Sequence, residues 1–283
     1  MKKKTTIFKM KIFHVLSCFL LAILCSTNFY GQTKILANTV STNNPNNCGG
    51  FLQPDCTVEN PGNAIIDNAN FATVISSTGW LLKSGYEGVL ELGYGTKVPA
   101  NTVSFVKLDI EDSGLLSSLL GGSLGETLAG LVNGLTFGSH YFKVEVLDGS
   151  TPVLTGSSKA GFSSDDVKIV QGADGSYFIA IRPNVQYDKI KITDAMDGGL
   201  LNLVAEVKGK TKVYNAFYYL DNNQDCGRPT FTSFDGGSGI GLTVLDLNTQ
   251  NLNSAIDGDE NTYSLLKSTG VLDLSVARNF SQF

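Results

Sequence analysis

Phe142-Lys143-Val144-Glu145-Val146 places apolar and charged side chains at alternate positions. A period of two suits an extended strand that buries one face and wets the other, and no helix can use it that way. The same period governs Val106-Lys107-Leu108-Asp109-Ile110 and Lys189-Ile190-Lys191-Ile192. Further strands are expected at Gly88–Tyr94, Pro152–Gly156, Val167–Gln171, Tyr177–Arg182 and Lys212–Leu220, divided by turns such as Asp148-Gly149-Ser150 and Asp174-Gly175. About eight short strands at this spacing predict an all-β chain, an antiparallel β-sandwich or jelly roll.

One segment departs from the period. Leu115–Leu135 spaces its leucines three and four residues apart, which predicts one or two short amphipathic helices covering one end of the sandwich. Its glycines, together with Glu126 and Asn133, argue against a membrane span.

Residues 1–31 read as an export signal. Lys2, Lys3, Lys4, Lys9 and Lys11 precede the apolar run Ile12–Cys25, which has signal-peptide length and is short for a span. Cleavage after Gly31 and cleavage near Ser26 both fit, and Ala22-Ile23-Leu24-Cys25 is a loose lipoprotein box with a bulky Leu24 where a small residue is wanted. The protein is therefore expected to be secreted or displayed on the cell surface, with no membrane span beyond the signal.

Removing the signal changes the charge. Five of the 21 Lys+Arg and none of the 26 Asp+Glu lie in it, so the mature chain carries 16 basic residues and a formal charge of −10. Such a surface repels phosphate backbones, which disfavours nucleic acid as a partner, and none is expected. A hydrophobic content of 42% is too high for a disordered chain and sufficient for a core.

Cys18 and Cys25 leave with the signal, and three cysteines remain. Cys48 and Cys56 are close in sequence and suit a local disulfide in an oxidising compartment; a long-range bridge from Cys226 to either is the alternative. Zinc is disfavoured, since no Cys-x-x-Cys pair exists and the mature chain has a single histidine, His140.

Asn63-Ala64-Ile65-Ile66-Asp67-Asn68-Ala69-Asn70-Phe71 recurs as Asn253-Ser254-Ala255-Ile256-Asp257-Gly258-Asp259-Glu260-Asn261-Thr262-Tyr263. Val89-Leu90-Glu91-Leu92 returns as Val271-Leu272-Asp273-Leu274. The organisation expected is a signal at 1–31, a β-sandwich module at 32–225 and the opening of a second copy at 226–283. About 58 residues are too few for a sandwich, so the second copy is expected to continue beyond Phe283 in a longer repeat protein.

Cys56-Thr57-Val58-Glu59-Asn60-Pro61-Gly62, Leu90-Glu91-Leu92-Gly93-Tyr94, Val98-Pro99-Ala100, the Leu115–Gly122 segment and Val213-Tyr214-Asn215-Ala216-Phe217-Tyr218 resemble the repeat module of large secreted surface proteins of Bacteroidetes-type bacteria, Ig-like and adhesin-like. More distantly, Ala255-Ile256-Asp257-Gly258 is similar to the early turn of discoidin-like, galactose-binding-like jelly rolls. The first resemblance implies a non-catalytic module for surface contact or spacing, whose partners are further copies in one chain and a glycan or surface protein. The second implies loops that present sugar, lipid or protein sites beside a structural calcium.

Asp257, Asp259 and Asn261 offer oxygens at alternate positions, as calcium loops do, but the distal bidentate Glu of an EF-hand is missing. The other reading is an Asx turn capped by Asp257, and it is preferred because such turns are common in loops. Asp67, Asn68 and Asn70 form a weaker version.

No catalytic set is expected. His140 begins an alternating strand with no nucleophile signature nearby, and Glu111-Asp112 and Asp165-Asp166 are adjacent pairs at loop edges. Gly236–Gly241 lacks a phosphate-loop lysine. The alternative function is a carbohydrate-binding module of a polysaccharide-degrading system, for which Trp80, Tyr86, Tyr94, Tyr218 and Tyr219 are the aromatic candidates; Trp80, running into Leu81-Leu82, is expected to be core.

Peptide mapping of the secreted protein without reductant is expected to recover Cys48 linked to Cys56. A peptide joining Cys226 to either would establish the long-range pairing instead.

Overall fold

The computed structural model describes residues 33–42, 58–77, 86–110, 116, 140–160, 162, 166–196, 208–220, 230–235, 249–266 and 278–282. One compact unit comprises Lys34–Tyr219 with Cys226–Phe283; the other, 1–33 with 220–225, contributes only Thr33 and Leu220 to the described residues.

The strands in chain order are β1 (Thr33–Leu36), β2 (Thr39–Thr42), β3 (Val58–Glu59), β4 (Ala72–Ser77), β5 (Gly88–Val98), β6 (Ser104–Ile110), β7 (His140–Asp148) and β8 (Thr151–Ser157). They continue as β9 (Val167–Gly172), β10 (Tyr177–Ile181), β11 (Tyr187–Met196), β12 (Lys208–Leu220), β13 (Phe231–Asp235), β14 (Thr249–Gln250), β15 (Leu265–Leu266) and β16 (Arg278–Gln282). A nine-stranded sheet runs β16-β13-β9-β10-β6-β12-β4-β3, with β1 also paired to β12. A five-stranded sheet runs β2-β5-β11-β7-β8, and β14 pairs with β15 apart from both. The two large sheets pack on each other as the all-β sandwich that the alternation predicts.

The alternating residues do what their period dictates. Val106, Leu108 and Ile110 are buried while Lys107 and Asp109 are half-buried, and Phe142, Val144 and Val146 are buried between half-buried Tyr141, Lys143 and Glu145. With Leu90, Leu92, Ile179, Ile190, Ile192 and Val213 they form one core between the sheets. Each such side chain contributes roughly 1.5–3 kcal/mol on burial. Leu116, the described residue of the leucine-rich segment, is helical and buried in this core.

The outward positions are matched across strands. Glu145 faces Lys191 in the β7–β11 register and pairs with it, and Lys212 faces Asp109 between β12 and β6 with a 3.1 Å contact. A bulge on β12 leaves Tyr214 as an extra residue between the pairs Val213↔Leu108 and Asn215↔Lys107.

A second apolar cluster lies on the nine-stranded sheet. Phe105 and Phe217 each neighbour core residues of their strand and so point to the opposite face, where they join Phe178 and Phe231. The Phe231 ring lies 4.1 Å from Phe105 and 4.9 Å from Phe178, centroid to centroid. Residues 231–235, read from sequence as part of the second copy, form β13 and pair with β9 at Phe231↔Gly172 and Thr232↔Gln171.

Tyr94, Tyr187 and Tyr218 are buried inside the sandwich. Tyr187 donates to Ser104 Oγ at 2.6 Å, and the Tyr94 ring meets Tyr218 edge-on at 5.3 Å. Tyr94 and Tyr218 are therefore core rather than a sugar platform. Burial, reinforced by the neighbouring tyrosines, pushes the phenols of Tyr94 and Tyr187 well above the usual tyrosine range, against a smaller lowering from Ser104. An acid whose pKa is raised on folding stabilises the fold below its unfolded value, near pH 10, and that contribution is lost as the pH rises further. Stability is thus expected to fall above about pH 10 by roughly 1.4 kcal/mol per pH unit for each of the two groups. Absorbance titration at 295 nm checks this: both tyrosines should ionise only with unfolding, and non-cooperative ionisation of all tyrosines near pH 10 would contradict it.

Candidate functional site

The outer face of the five-stranded sheet carries a cleft of about 560 Å³, lined by Glu87, Val89, Lys143, Glu145, Thr155, Ser157, Lys191 and Thr193, together with the buried Phe162. The period of two puts Val89, Lys143, Glu145, Thr155, Ser157, Lys191 and Thr193 outward from β5, β7, β8 and β11, and Glu87 immediately precedes β5. Lys143 pairs with Glu87 at 2.7 Å, Lys191 with Glu145, and Lys189 with Glu91 at 3.2 Å. Lys143 and Lys159 lie over the Tyr141 ring at 5.6 and 5.1 Å. Gly156 makes room for Phe162, since a Cβ there would approach the ring to 2.9 Å. The face thus offers charge-paired carboxylates and ammonium groups beside hydroxyls, able to exchange hydrogen bonds with a hydroxyl-rich or zwitterionic ligand.

A second polar constellation is internal. Continuing the inward positions of their strands, Ser76 of β4, His140 of β7 and Asp194 of β11 extend the apolar core with a polar layer. Asp194 is 0% exposed; His140 Nε2 lies 3.0 Å from both of its carboxylate oxygens, and Ser76 Oγ donates to Oδ1. Gly209 of β12 permits this approach, because a Cβ there would sit 2.6 Å from the imidazole and 2.7 Å from Ser76 Oγ. The cluster lies where segments 78–85, 111–139 and 197–207 join their strands. Serine and histidine both turn to the aspartate rather than to each other, so the histidine does not activate the serine as a nucleophile. The cluster ties the two sheets together through a shared carboxylate. In this geometry the His140 ring is held against the Asp194 carboxylate. The sequence reading missed Ser76 and Asp194, and the available signal was a carboxylate in register with Ile190 and Ile192 on the buried face.

Asp257, Asp259 and Asn261 are exposed and close a turn on themselves. Asp257 Oδ1 accepts from the Asp259 backbone N–H at 2.8 Å and Oδ2 from Thr262 Oγ1 at 2.7 Å, while Asp259 Oδ1 accepts the Asn261 N–H at 2.9 Å. The backbone N–H of Asn261, with its side-chain amide, lowers the Asp259 pKa. A calcium ion would have to share or displace them, and the described residues contain no cluster of three or more His, Cys, Asp or Glu side chains that could hold a metal. In the weaker version, Asn68 Oδ1 accepts from the Asn70 N–H, and Asp67 instead pairs with Lys34 at 2.9 Å.

The two turns belong to larger units of one design. Asn60 (φ 51°, ψ 48°) leads into a 3-10 turn at Pro61–Ala64, and Asn251 (φ 53°, ψ 50°) leads into another at Leu252–Ala255. Left-handed dihedrals are tolerated by asparagine, which explains its recurrence there. Each 3-10 turn is followed by an Asx turn and a return strand. β3 pairs with β4 at Val58↔Val74 and Glu59↔Thr73, and β14 pairs with β15 at Thr249↔Leu266 and Gln250↔Leu265.

Cys48, Cys56, Cys226, Trp80, Glu111, Asp112, Asp165 and Gly236–Gly241 lie outside the described residues. Among the described residues no helix is long and apolar enough to cross a membrane. No family model, curated protein or solved structure matches the chain.

Removing one partner from a buried pair leaves the other charge or dipole unsatisfied. Asp194→Ala is expected to lower the unfolding free energy by about 3–5 kcal/mol in urea titration. A loss below about 1 kcal/mol, the scale of an exposed pair, would show that the cluster does not hold the sheets.

Proposed function

We propose that the chain is a non-catalytic module of a secreted or cell-surface, adhesin-like repeat protein, acting in surface contact or spacing. The observation that carries this reading is the recurrence of one strand, left-handed Asn, 3-10 turn, Asx turn and strand in two places with the same local pairing. Recurrence of a supersecondary unit within a chain is the mark of modules built in series, each gaining contact strength from its neighbours. The export signal and the acidic mature surface support an extracytoplasmic setting. The cross-strand ion pairs on the five-stranded sheet suit a wall that stays soluble between contacts.

A second reading, a carbohydrate-binding module, is favoured by the cleft over β5, β7, β8 and β11, with its threonine, serine, lysine and glutamate groups. The two readings separate by valency. Beads coated with the mature chain are expected to adhere to a cell-surface layer with a steep dependence on coating density, while the monomeric chain gives no saturable glycan-array signal. Saturable monomeric binding to a defined oligosaccharide, weakened at least tenfold by Lys143→Ala, would replace the first reading with the second.

A further inference from the structure

We propose that the second unit, β14 to β15, presents an open seat for an added β-strand of the β12 type, an extended segment carrying an aromatic-Asn pair like Tyr214-Asn215. This rests on the repeat reading above and names the partner that reading requires.

The first unit shows the seat filled. β4 is paired with β3 on one side and with β12 on the other, from Val213↔Ala72 to Lys208↔Ser77. Ile65 bridges to Asn215, whose Nδ2 donates to Asp67 Oδ1 at 3.1 Å. The bulged Tyr214 meets the Phe71 ring edge-on, 5.4 Å between centroids and 62° between planes. Ala64 is fully buried beneath this arrangement.

In the second unit three corresponding positions among the described residues are exposed. The pairing places Leu265 where Thr73 stands and Leu266 where Val74 stands, so Tyr263 corresponds to Phe71; the 3-10 turns place Ala255 where Ala64 stands. Among the described residues β15 pairs with β14 alone. Ala255 is exposed, Tyr263 is 72% exposed and Leu265 37% exposed. Tyr263 is the most exposed large hydrophobic side chain among the described residues. Tyr263 stands where Phe71 meets Tyr214 of β12, and Leu265 where Thr73 pairs with Lys212.

The unit itself is already braced for this. Ser264 Oγ donates to the carbonyls of Asn251 and Leu252 at 2.7 and 3.0 Å, fixing the entry of β15. Asp257, bonded within its own turn, does not stand where Asp67 does. Recognition therefore falls to the backbone ladder along β15 and to a ring packed against Tyr263, with main-chain bonds supplying affinity and alternate side chains supplying choice.

The probe is a fluorescent peptide of Lys210–Tyr219, titrated into the full mature chain and read by anisotropy. Saturable binding is expected, weakened roughly three- to tenfold by Tyr263→Ala, the scale of one lost aromatic pair. Tyr214→Ala in the peptide should cost about the same, with no further loss when both changes are combined. Tyr263 is exposed, so its replacement leaves the fold intact, to be checked by an unchanged melting temperature. Absence of saturable binding, equal binding of a scrambled peptide, or an affinity indifferent to Tyr263→Ala overturns the seat. The bead assay fails or succeeds independently, so loss of the seat is distinguishable from loss of the contact-module reading.

Discussion

Two sheets, each with one apolar face, have to close those faces on each other, and nearly every other feature of the described structure follows from that burial. Phe142, Val144 and Val146 on one sheet and Val106, Leu108 and Ile110 on the other are buried because their neighbours in sequence point away. A slip of one residue in any of these strands would exchange Lys143 for Val144 on the inside. Register is therefore held by the cost of burying lysine and glutamate as firmly as by the gain from burying valine. The outward charges then pair across strands, as Glu145 does with Lys191, because register brings them opposite one another.

A core so built leaves its polar members at special places. Tyr187 and Tyr94 are admitted because Ser104 meets their hydroxyls, and Asp194 because Ser76 and His140 meet its oxygens. Each is a satisfied network rather than a lone group, which is the condition for keeping polar atoms out of water. The Asp194 cluster joins the sheets where three connecting segments enter them. Ser76 comes from the nine-stranded sheet, and His140 and Asp194 from the five-stranded one, so a single carboxylate spans the interface between the sheets.

The repeated units show how context decides the fate of one local design. Both use a left-handed asparagine to start a 3-10 turn and a side-chain oxygen to close the following turn. In the first, β12 covers the return strand and the aromatic is half-buried; in the second, the aromatic stands in solvent. Local hydrogen bonding builds the turn in either setting, while burial depends on what lies across it.

Period, composition and turn chemistry were sufficient to determine the sandwich class, the inward set of β6, β7 and β11, and the recurrence of the Asx unit, because these depend on residues close together in the chain. The exposure of Tyr263 and the burial of Tyr94 and Tyr218 were not legible, since an aromatic reads alike in the sequence whether a distant strand covers it or not. Nor was the meeting of Ser76, His140 and Asp194, which are brought together from three strands of two sheets; the sequence offered only a carboxylate at an inward position. The outer cleft belongs to the same class, because Glu87, Lys143, Thr155 and Lys191 become neighbours only through the pairing order β5-β11-β7-β8. Local period sets which way a side chain points, but strand order, settled by burial over the whole chain, sets what it meets.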